Sequence, residues 1–391
     1  MSFITIIFVL LIISFLVVIH EFGHYWASKR NGVRVEEFGV GYPPKVFGKK
    51  FGETLYSLNL IPFGGFVKIT GEEEEVEEGS KEKATKTTFD PHSFSNKTPW
   101  QKSQILIAGV FMNMLLSFFL FYIFLFSNGF KSFHIPMVFD HHFKYGQELV
   151  YGTMVFDMEK DSPAEKVGIK PGEVILKVDG NEITSVLGLR ENLNGQANTE
   201  VEIETFDINS PSNQNTNKYI VVPNYQEKSE ENDSDAIIGV YLGEAKAIYY
   251  EKPLEKILSG PMHTYNMLDY SISSLGEIIG LSFKTKDIEP VASSMTGPVG
   301  LFNILGNIIQ TEGTGKFLIL INTVAIISLG FAFTNLLPIP ALDGGKVVFR
   351  IIEGITKKNI NPKIESRIHN FGMIALILLV VAITFRDIKV W

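Results

Sequence analysis

The chain opens with an uncharged, apolar segment, Phe3 to Ile19, that runs directly into the motif His-Glu-Phe-Gly-His at residues 20–24. An apolar run of this length predicts a helix that crosses a membrane. On a helix, His20 and His24 lie on one face because they are four residues apart, so both imidazoles can reach one metal ion. Ionisable side chains are costly inside a membrane and usually have a function there. The sequence therefore predicts a metal site within the bilayer.

Three further segments are apolar enough to span a membrane, at 105–126, 317–337 and 371–385. The last is short, and we expect its helix to begin a turn earlier. Twelve basic residues lie between Lys29 and Lys102, and six lie between Lys346 and Arg367. Because Lys and Arg concentrate in cytoplasmic loops, we expect both segments in the cytoplasm and both termini outside it. No basic residue precedes the first span and no small-residue cleavage pattern follows it, so we expect a retained helix rather than a signal peptide.

The amino-acid composition limits which partners and which metal ligands the chain can have. A net charge of −8 argues against nucleic acid as a partner. The chain has no cysteine, so a metal ion must be held by His, Asp or Glu side chains.

Part of the acidic charge forms one block at residues 72–78. The segment from Gly71 to Thr88 around it lacks aromatic residues, and we expect it to be disordered.

Two segments outside the spans have the pattern of β-structure. Leu55 to Ile69 has a Pro-Phe-Gly-Gly turn at 62–65 between apolar runs, which predicts a cytoplasmic β-hairpin at the membrane. Tyr151 to Leu242 predicts a small extracytoplasmic α+β domain: a short helix at Pro163–Val167 ended by Gly168, a Pro-Gly turn, a strand at Val174–Val178 and an Asp-Gly turn. This pattern resembles a PDZ domain, a module that binds peptides at a sheet edge.

The expected fold is a polytopic α-helical membrane protein with four spans, the hairpin and the PDZ-like domain. Residues 253–283 mix apolar and polar residues at near-helical spacing, which predicts an amphipathic helix near the outer surface. The predicted divisions are an N-terminal membrane half at 1–128, a PDZ-like domain at 151–242, an amphipathic connecting region at 243–315 and a C-terminal membrane half at 316–391.

A catalytic zinc ion usually has three protein ligands, so two histidines leave one to be found. Asp343 is the acidic residue at the inner end of the third span, just after Pro338 and Pro340 and before two glycines. If the first and third spans pack together, Asp343 can meet His20 and His24. The alternative is that Asp343 only caps the helix that begins near Lys346. Glu21 is then the candidate general base, which takes a proton from the attacking water.

Two amides in or beside the spans have two interpretations each. Asn113 lies inside the second span, four residues after Gly109, and the small glycine permits a close helix approach. Its amide could hold the substrate or an oxyanion, or it could merely form a hydrogen bond between helices. Asn335 lies just before the break at Pro338 and has the same two interpretations.

Together these motifs resemble the site-2 protease family of intramembrane zinc metalloproteases, in the bacterial branch that includes the regulator of sigma-E protease. Residues 20–24 match its zinc motif, and residues 335–345, Asn-Leu-Leu-Pro-Ile-Pro-Ala-Leu-Asp-Gly-Gly, match its Asn-x-x-Pro and Leu-Asp-Gly motif, whose Asp is the third ligand. Gly109 to Asn113 fits its Gly-x-x-x-Asn element, although Val110 stands where many members have Pro. Residues 59–68 resemble its membrane-associated hairpin, and residues 296–300 resemble its Gly-Pro-x-Gly stretch.

The resemblance implies a zinc-dependent endopeptidase of a bacterial inner membrane, with its active site toward the cytoplasm. Its substrates would be transmembrane segments of membrane-anchored proteins, such as anti-sigma factors or remnant signal peptides. The hairpin, with Gly64 and Gly65, would present the substrate in extended form. Some family members have two PDZ domains, whereas this sequence predicts one, which would exclude untrimmed ectodomains or bind a peptide.

Two other classes of protein remain as alternatives. One is a non-catalytic membrane scaffold that binds peptides through its PDZ-like domain. The other is a metal transporter or sensor, since intramembrane His and Asp also line ion paths. A transporter would need further polar residues along the spans, and the second to fourth spans have few.

Overall fold

The computed structural model describes residues 3–72, 90–137, 139–207, 216–227, 235–310, 315–358 and 360–390. Within these residues the chain forms two compact units. The first unit draws on the described residues within 1–121, 285–311 and 319–391, and the second on those within 122–284 and 312–318. Nearly all of the acidic block and of the segment predicted to be disordered lies outside the described residues.

The elements follow one another in this order. The N-terminal part contains α1 (Phe3–Arg30), β1 (Val35–Phe51), β2 (Thr54–Ile69) and α2 (Pro99–Ser127). Next come β3 (Ile135–Met137), β4 (Gln147–Met158), α3 (Pro163–Val167), β5 (Glu173–Val178), β6 (Asn181–Glu182), α4 (Val186–Leu193), β7 (Val201–Asp207), β8 (Asn217–Val221), β9 (Asn224–Tyr225), β10 (Ala236–Ile237) and β11 (Val240–Tyr249). The remaining elements are α5 (Pro253–Ile257), α6 (Ser259–Thr285), α7 (Glu289–Ser294), α8 (Pro298–Gln310), α9 (Lys316–Leu336), α10 (Asp343–Thr356) and α11 (Pro362–Val390).

Four of the described helices are long and apolar enough to cross a membrane, namely α1, α2, α9 and residues 363–388 of α11. Each of the four predicted spans thus lies in a helix of sufficient length and apolar composition. The fourth span was expected to begin about one turn before Phe371, and the helix that contains it begins earlier still, at Pro362. Proline suits the first turn of a helix, and the charged residues that follow it continue the helix without contributing to the apolar pattern.

The predicted turn within Leu55–Ile69 is present, but the two segments that flank it do not pair with each other as predicted. Both segments belong to β2 and pair with β1, and the two strands are connected by Gly52 and Glu53. As the residues of β1 rise from Glu37 to Val40, their partners fall from Lys68 to Gly65 on one side and rise from Leu55 to Leu58 on the other. The chain thus reverses direction at the Pro-Phe-Gly-Gly turn, as predicted, but β1 lies between the two arms.

Two clusters of apolar side chains hold the first unit together. Val9, Ile13 and Leu16 form one face of α1 and pack against Leu305 of α8 and Ile327 of α9. Their spacing of four and three residues places them on a single helical stripe. In a second cluster Ala27, Ile105 and Val347 bring together α1, α2 and α10. These contacts fix the end of α1 against the elements that follow α9.

The described residues of the second unit include a sheet in the order β3-β11-β4-β5-β7-β8, with β6 paired to β5. The predicted helix is present as α3, begun by a hydrogen bond from the Glu165 N–H to the Ser162 side chain and ended by Gly168 at φ 89°. The predicted Asp-Gly turn has positive φ at Asp179 and Gly180 and joins β5 to β6. The sheet extends beyond the predicted bounds 151–242 through β3, β4 and β11.

The helical segment predicted at 253–283 is also present, as α5 and α6. Its buried residues include His263, Asn266 and Met267, which fall on one side of α6. Asn266 donates to the backbone carbonyl of Tyr145 at 2.8 Å, so the buried side of the helix is fastened to the same unit as the sheet.

Candidate metal centre

The site begins with an unusually close approach of α1 to α2. A Cβ atom added at Gly23 would lie 2.2 Å from the backbone carbonyl oxygen of Ala108. One added at Gly109 would lie 2.6 Å from Nε2 of His24 and 2.7 Å from Nε2 of His20. Glycine at these two positions lets the helix backbones approach without a side chain between them. The second span therefore forms one wall of the site and leaves it room only for the histidines.

The three predicted ligands meet in one cluster. Nε2 of His20 lies 2.9 Å from Oδ2 of Asp343, and Nε2 of His24 lies 3.3 Å from the same oxygen. The two Nε2 atoms are 3.1 Å apart. The structure thus brings together residues separated by more than three hundred positions. Two imidazole nitrogens and a carboxylate oxygen, all within 4.8 Å of one another, form a donor set that suits zinc.

The orientation of His24 is set by the second span. Its Nδ1–H donates to the backbone carbonyl of Ile105 at 2.8 Å. A carbonyl can only accept, so this contact places a proton on Nδ1 and turns Nε2, the atom that would bind a metal ion, toward the cluster. Such a carbonyl partner is typical of a histidine that holds a metal ion. The sequence does not reveal the role of Ile105, because a backbone carbonyl leaves no signal in the choice of side chain.

Asp343 is carried to the cluster by the tight connection from α9 to α10. Ala341 has a positive φ of 86° after Pro338 and Pro340. A Cβ atom at Gly344 would lie 2.3 Å from the carbonyl oxygen of Leu337, so the start of α10 folds directly under the end of α9. Asp343 is the first residue of α10, and Leu342 before it provides no side-chain cap. The geometry favours the ligand interpretation of Asp343 over the helix cap.

Asp343 is ionised in this setting. Burial on its own would raise the pKa of the carboxyl group, but hydrogen bonds with His20 and His24, and the charge of those imidazoles, outweigh burial and hold the pKa well below its usual range. Glu21 lies between the two histidines in sequence and is half-buried. It interacts electrostatically with both histidines and with Asp343. A second carboxylate therefore borders the cluster without belonging to the donor set.

Asn113 is fully buried one turn along α2 from Gly109. Among the described residues, neither its Nδ2 nor its Oδ1 has a hydrogen-bond partner. Its backbone carbonyl instead accepts from Ser328 of α9 at 2.8 Å, and Ser117 of α2 donates to the carbonyl of Ala325 at 3.1 Å. The two serines thus fasten α2 to α9, a role that the sequence pattern does not indicate. The amide of Asn113 therefore forms no hydrogen bond between the described helices.

The other predicted site residues do not belong to the cluster of the three ligands. Asn335 is half-buried in the last turn of α9. Gly64 and Gly65 are buried against α1, since Ser14 accepts from the Gly64 N–H at 3.1 Å and donates to the carbonyl of Pro62 at 2.8 Å. A Cβ atom at Gly65 would lie 3.0 Å from the side chain of Val18, two residues before His20. The turn of β2 therefore rests on the helix that carries both histidines.

Comparison with known proteins gives consistent matches along the chain. The sequence model of peptidase family M50 matches residues 8–379. The chain is 31% identical over 385 residues, 98% of each protein, to a Clostridium perfringens protein provisionally named a zinc metalloprotease. It is 24% identical over 458 residues, 98% of each protein, to the regulator of sigma-W protease RasP of Bacillus subtilis. A zinc metalloprotease RasP of Geobacillus kaustophilus is 24% identical over 451 residues, 97% of each protein.

Proposed function

The chain belongs to peptidase family M50, the site-2 protease family, and on that premise we propose that it is a zinc-dependent endopeptidase that cleaves transmembrane segments of membrane-anchored proteins. The single observation that carries the proposal is the cluster of His20, His24 and Asp343 beside the half-buried Glu21. A donor set of two imidazoles and one carboxylate leaves a position open, as in catalytic zinc sites. The non-catalytic scaffold is disfavoured because a protein that only binds peptides has no need of this assembly.

The residues of the chain then have separate tasks. His20, His24 and Asp343 would hold zinc, which would polarise the scissile carbonyl and make water more acidic. Glu21 accepts the proton of the attacking water and passes it to the leaving amine. The free amide of Asn113 is placed to donate to the substrate backbone or to the oxyanion. Asn335 lies at the end of α9, the helix that leads to Asp343, and its amide would donate to the substrate backbone or the oxyanion in the same way.

The substrate approaches along β2. A transmembrane helix must unwind before its peptide bonds can be attacked, and its freed backbone groups then need partners. Residues 65–69 of β2 pair with β1 on one side, and no other described strand pairs with them. The exposed edge can add the substrate as a further strand. Because Gly64 and Gly65 rest on α1, this edge leads toward the histidines.

The sheet of the second unit serves as the PDZ-like domain. In the sequence it lies between the second and third spans, in the segment expected on the side of substrate ectodomains. It acts as a size filter that admits substrates already trimmed by another protease, such as anti-sigma factors, and remnant signal peptides. In this arrangement the protein lies in the bacterial inner membrane with both termini outside, and the metal centre faces the cytoplasm.

The proposal is tested with the purified full-length chain in detergent and a tagged single-span substrate. We expect cleavage within the apolar segment of the substrate, loss of cleavage with a zinc chelator, and recovery when zinc is added back. A soluble unfolded protein serves as the control and should stay intact, because it does not enter a site within the bilayer. Chelator-resistant cleavage, or a preference for the soluble protein, would contradict the proposal.

A further inference from the structure

A groove of about 320 Å³ lies between the ends of α1 and α2 that carry Arg30 and Trp100. Trp100, Gln104, Ile107 and Phe111 line it from α2, and their spacing of four, three and four residues places them on one face of that helix. Trp26 and Arg30, also four residues apart, line it from α1. The volume is at the lower end of the ~300–1,000 Å³ typical of small-molecule sites. Two helical stripes thus form a mainly apolar groove with a polar end.

The groove opens outward. Trp100 is 72% exposed, Trp26 is 48% exposed and Phe111 is 46% exposed. Two of the three tryptophans of the chain lie here, at the end of both spans. Tryptophan concentrates at the boundary between lipid and water, where its ring lies at the level of the headgroups. The aromatic residues therefore place the mouth of the groove at the membrane surface and its apolar end toward the acyl chains.

Among the described residues that line the groove, Arg30 at the surface end carries the one formal charge, and Lys97 lies outside this lining near Gly32. The guanidinium group of Arg30 lies 5.4 Å from the ring centroid of Trp26. The Nζ of Lys97 lies 3.7 Å from the position that a Cβ atom would take at Gly32, two residues after Arg30. In the part of the chain that the structure describes, neither cation forms an ion pair with a carboxylate. The two cations are thus available for an external anion.

The groove is separate from the proposed substrate path. On α1, the side that faces β2 carries Tyr25, whose hydroxyl lies 2.6 Å from the hydroxyl of Tyr56. Arg30 follows Tyr25 by five residues and is rotated by about 140° from it around the helix. No residue of β2 is among the described residues that line the groove, so a substrate paired to the edge of β2 would lie on another side of α1.

We propose that the groove binds an anionic phospholipid. Its phosphate lies between Arg30 and Lys97, and one acyl chain runs along Ile107 and Phe111 between the two helices. Basic pockets between spans are typical binding sites for anionic headgroups. The lipid contacts Ala27 and Ala108, which also line the groove and lie beside the close approach of α1 to α2. It thereby holds together the two helices that shape the metal centre.

The arrangement of tryptophans allows a direct test that does not depend on peptidase activity. Trp391→Phe leaves only Trp26 and Trp100 to fluoresce. The full-length variant, in micelles of a neutral detergent, is titrated with phosphatidylglycerol or phosphatidylcholine whose acyl chains are brominated to quench tryptophan. We expect half-maximal quenching at a mole fraction of phosphatidylglycerol about fivefold or more below that of phosphatidylcholine, because two cations face its phosphate.

Three further variants in the same background assign the preference to the groove. Arg30→Gln combined with Lys97→Gln should bring the two titration curves together, while Arg30→Lys, which keeps the charge, should preserve the difference. Lys50→Gln removes one charge from an exposed position on β1 and should also preserve it. Equal quenching by both lipids in the parent would overturn the proposal, as would a preference that survives the double variant. Relief of quenching by a transmembrane peptide, but not by unbrominated phosphatidylglycerol, would assign the groove to a protein segment and overturn it as well.

Discussion

The Nδ1–H of His24 on α1 donates to the backbone carbonyl of Ile105 on α2 at 2.8 Å. The contact joins the first span, which carries two of the three proposed ligands, to the second span, which carries none. It fixes the ring so that Nε2 points at His20 and Asp343. The geometry of the proposed zinc site therefore depends on how closely α2 packs on α1, and the glycines at that contact are part of the site.

The first prediction concerns Gly109. Its replacement by Ala puts a methyl group where the Nε2 atoms of His20 and His24 now lie less than 3 Å away. The histidines must move, so we expect zinc affinity to fall by about tenfold or more, as for other changes next to metal ligands. Bound zinc is measured by mass spectrometry after dialysis against a graded series of zinc buffers.

Gly330→Ala is the matched control for this variant. Gly330 lies within α9, and a Cβ atom there has no heavy atom within 4 Å. Both substitutions gain the higher helix propensity of alanine, so only the contact with the histidines differs. Equal zinc affinity in the two variants would show that α2 does not shape the site.

The second prediction concerns the edge of β2. Val67 pairs with Phe38 of β1, and Val67→Pro removes the backbone N–H there and disrupts the local pairing. We expect cleavage to fall by about tenfold or more while bound zinc is retained, because the ligands lie on other elements. Val46→Pro, at an exposed position in β1, is the control and should cleave normally. Normal turnover by Val67→Pro would refute substrate presentation by this edge.

The third prediction concerns the size filter. Met154 of β4 and Gly243 of β11 are paired, so residues 155–242 can be replaced by an Asn-Gly turn that keeps both strand stems. We expect the shortened protein to cut a substrate with its full ectodomain at a rate close to that for the trimmed substrate. The intact protein should cut only the trimmed one. If both proteins discriminate equally, the second unit does not gate access.

The fourth prediction concerns the pH dependence of the second unit. Burial lowers the pKa of His263 from 6.5 to about 3. Between these two values the unfolded chain binds a proton that the folded chain excludes, so stability is complete above pH 6.5 and falls as the pH drops toward 3. At pH 5 the loss from this residue is about 2 kcal/mol.

The fourth prediction is tested by measuring the unfolding free energy of the full-length chain at pH 7 and pH 5. His263→Gln should lose about 2 kcal/mol less between these values than the unchanged chain does, since it cannot be protonated. His142→Gln is the control, because that side chain is 81% exposed. An identical pH dependence for His263→Gln and the unchanged chain would mean that His263 does not contribute.

The sequence predicted the elements whose pattern is local and strong. The four spans, α3 with its glycine cap, and the meeting of His20, His24 and Asp343 follow from apolar runs, turn chemistry and the shared inner end of two spans. The pairing of β1 with β2 was missed, since Val35–Phe51 has two adjacent prolines and no regular alternation. The Ile105 carbonyl and the serine contacts of α2 with α9 were missed because they arise only when the helices pack. An apolar pattern does not indicate where a helix begins when its first residues are polar, as at the start of α11.

The most direct test of the central claim is a comparison of the unchanged chain with Glu21→Gln, measuring both cleavage of a single-span substrate and bound zinc. Gln has nearly the same shape as Glu but cannot accept the proton of the attacking water. We predict equal zinc content and a loss of cleavage of at least about a hundredfold. Cleavage by Glu21→Gln at an undiminished rate, with zinc bound, would contradict the assignment of Glu21 as the base and of this cluster as the active site.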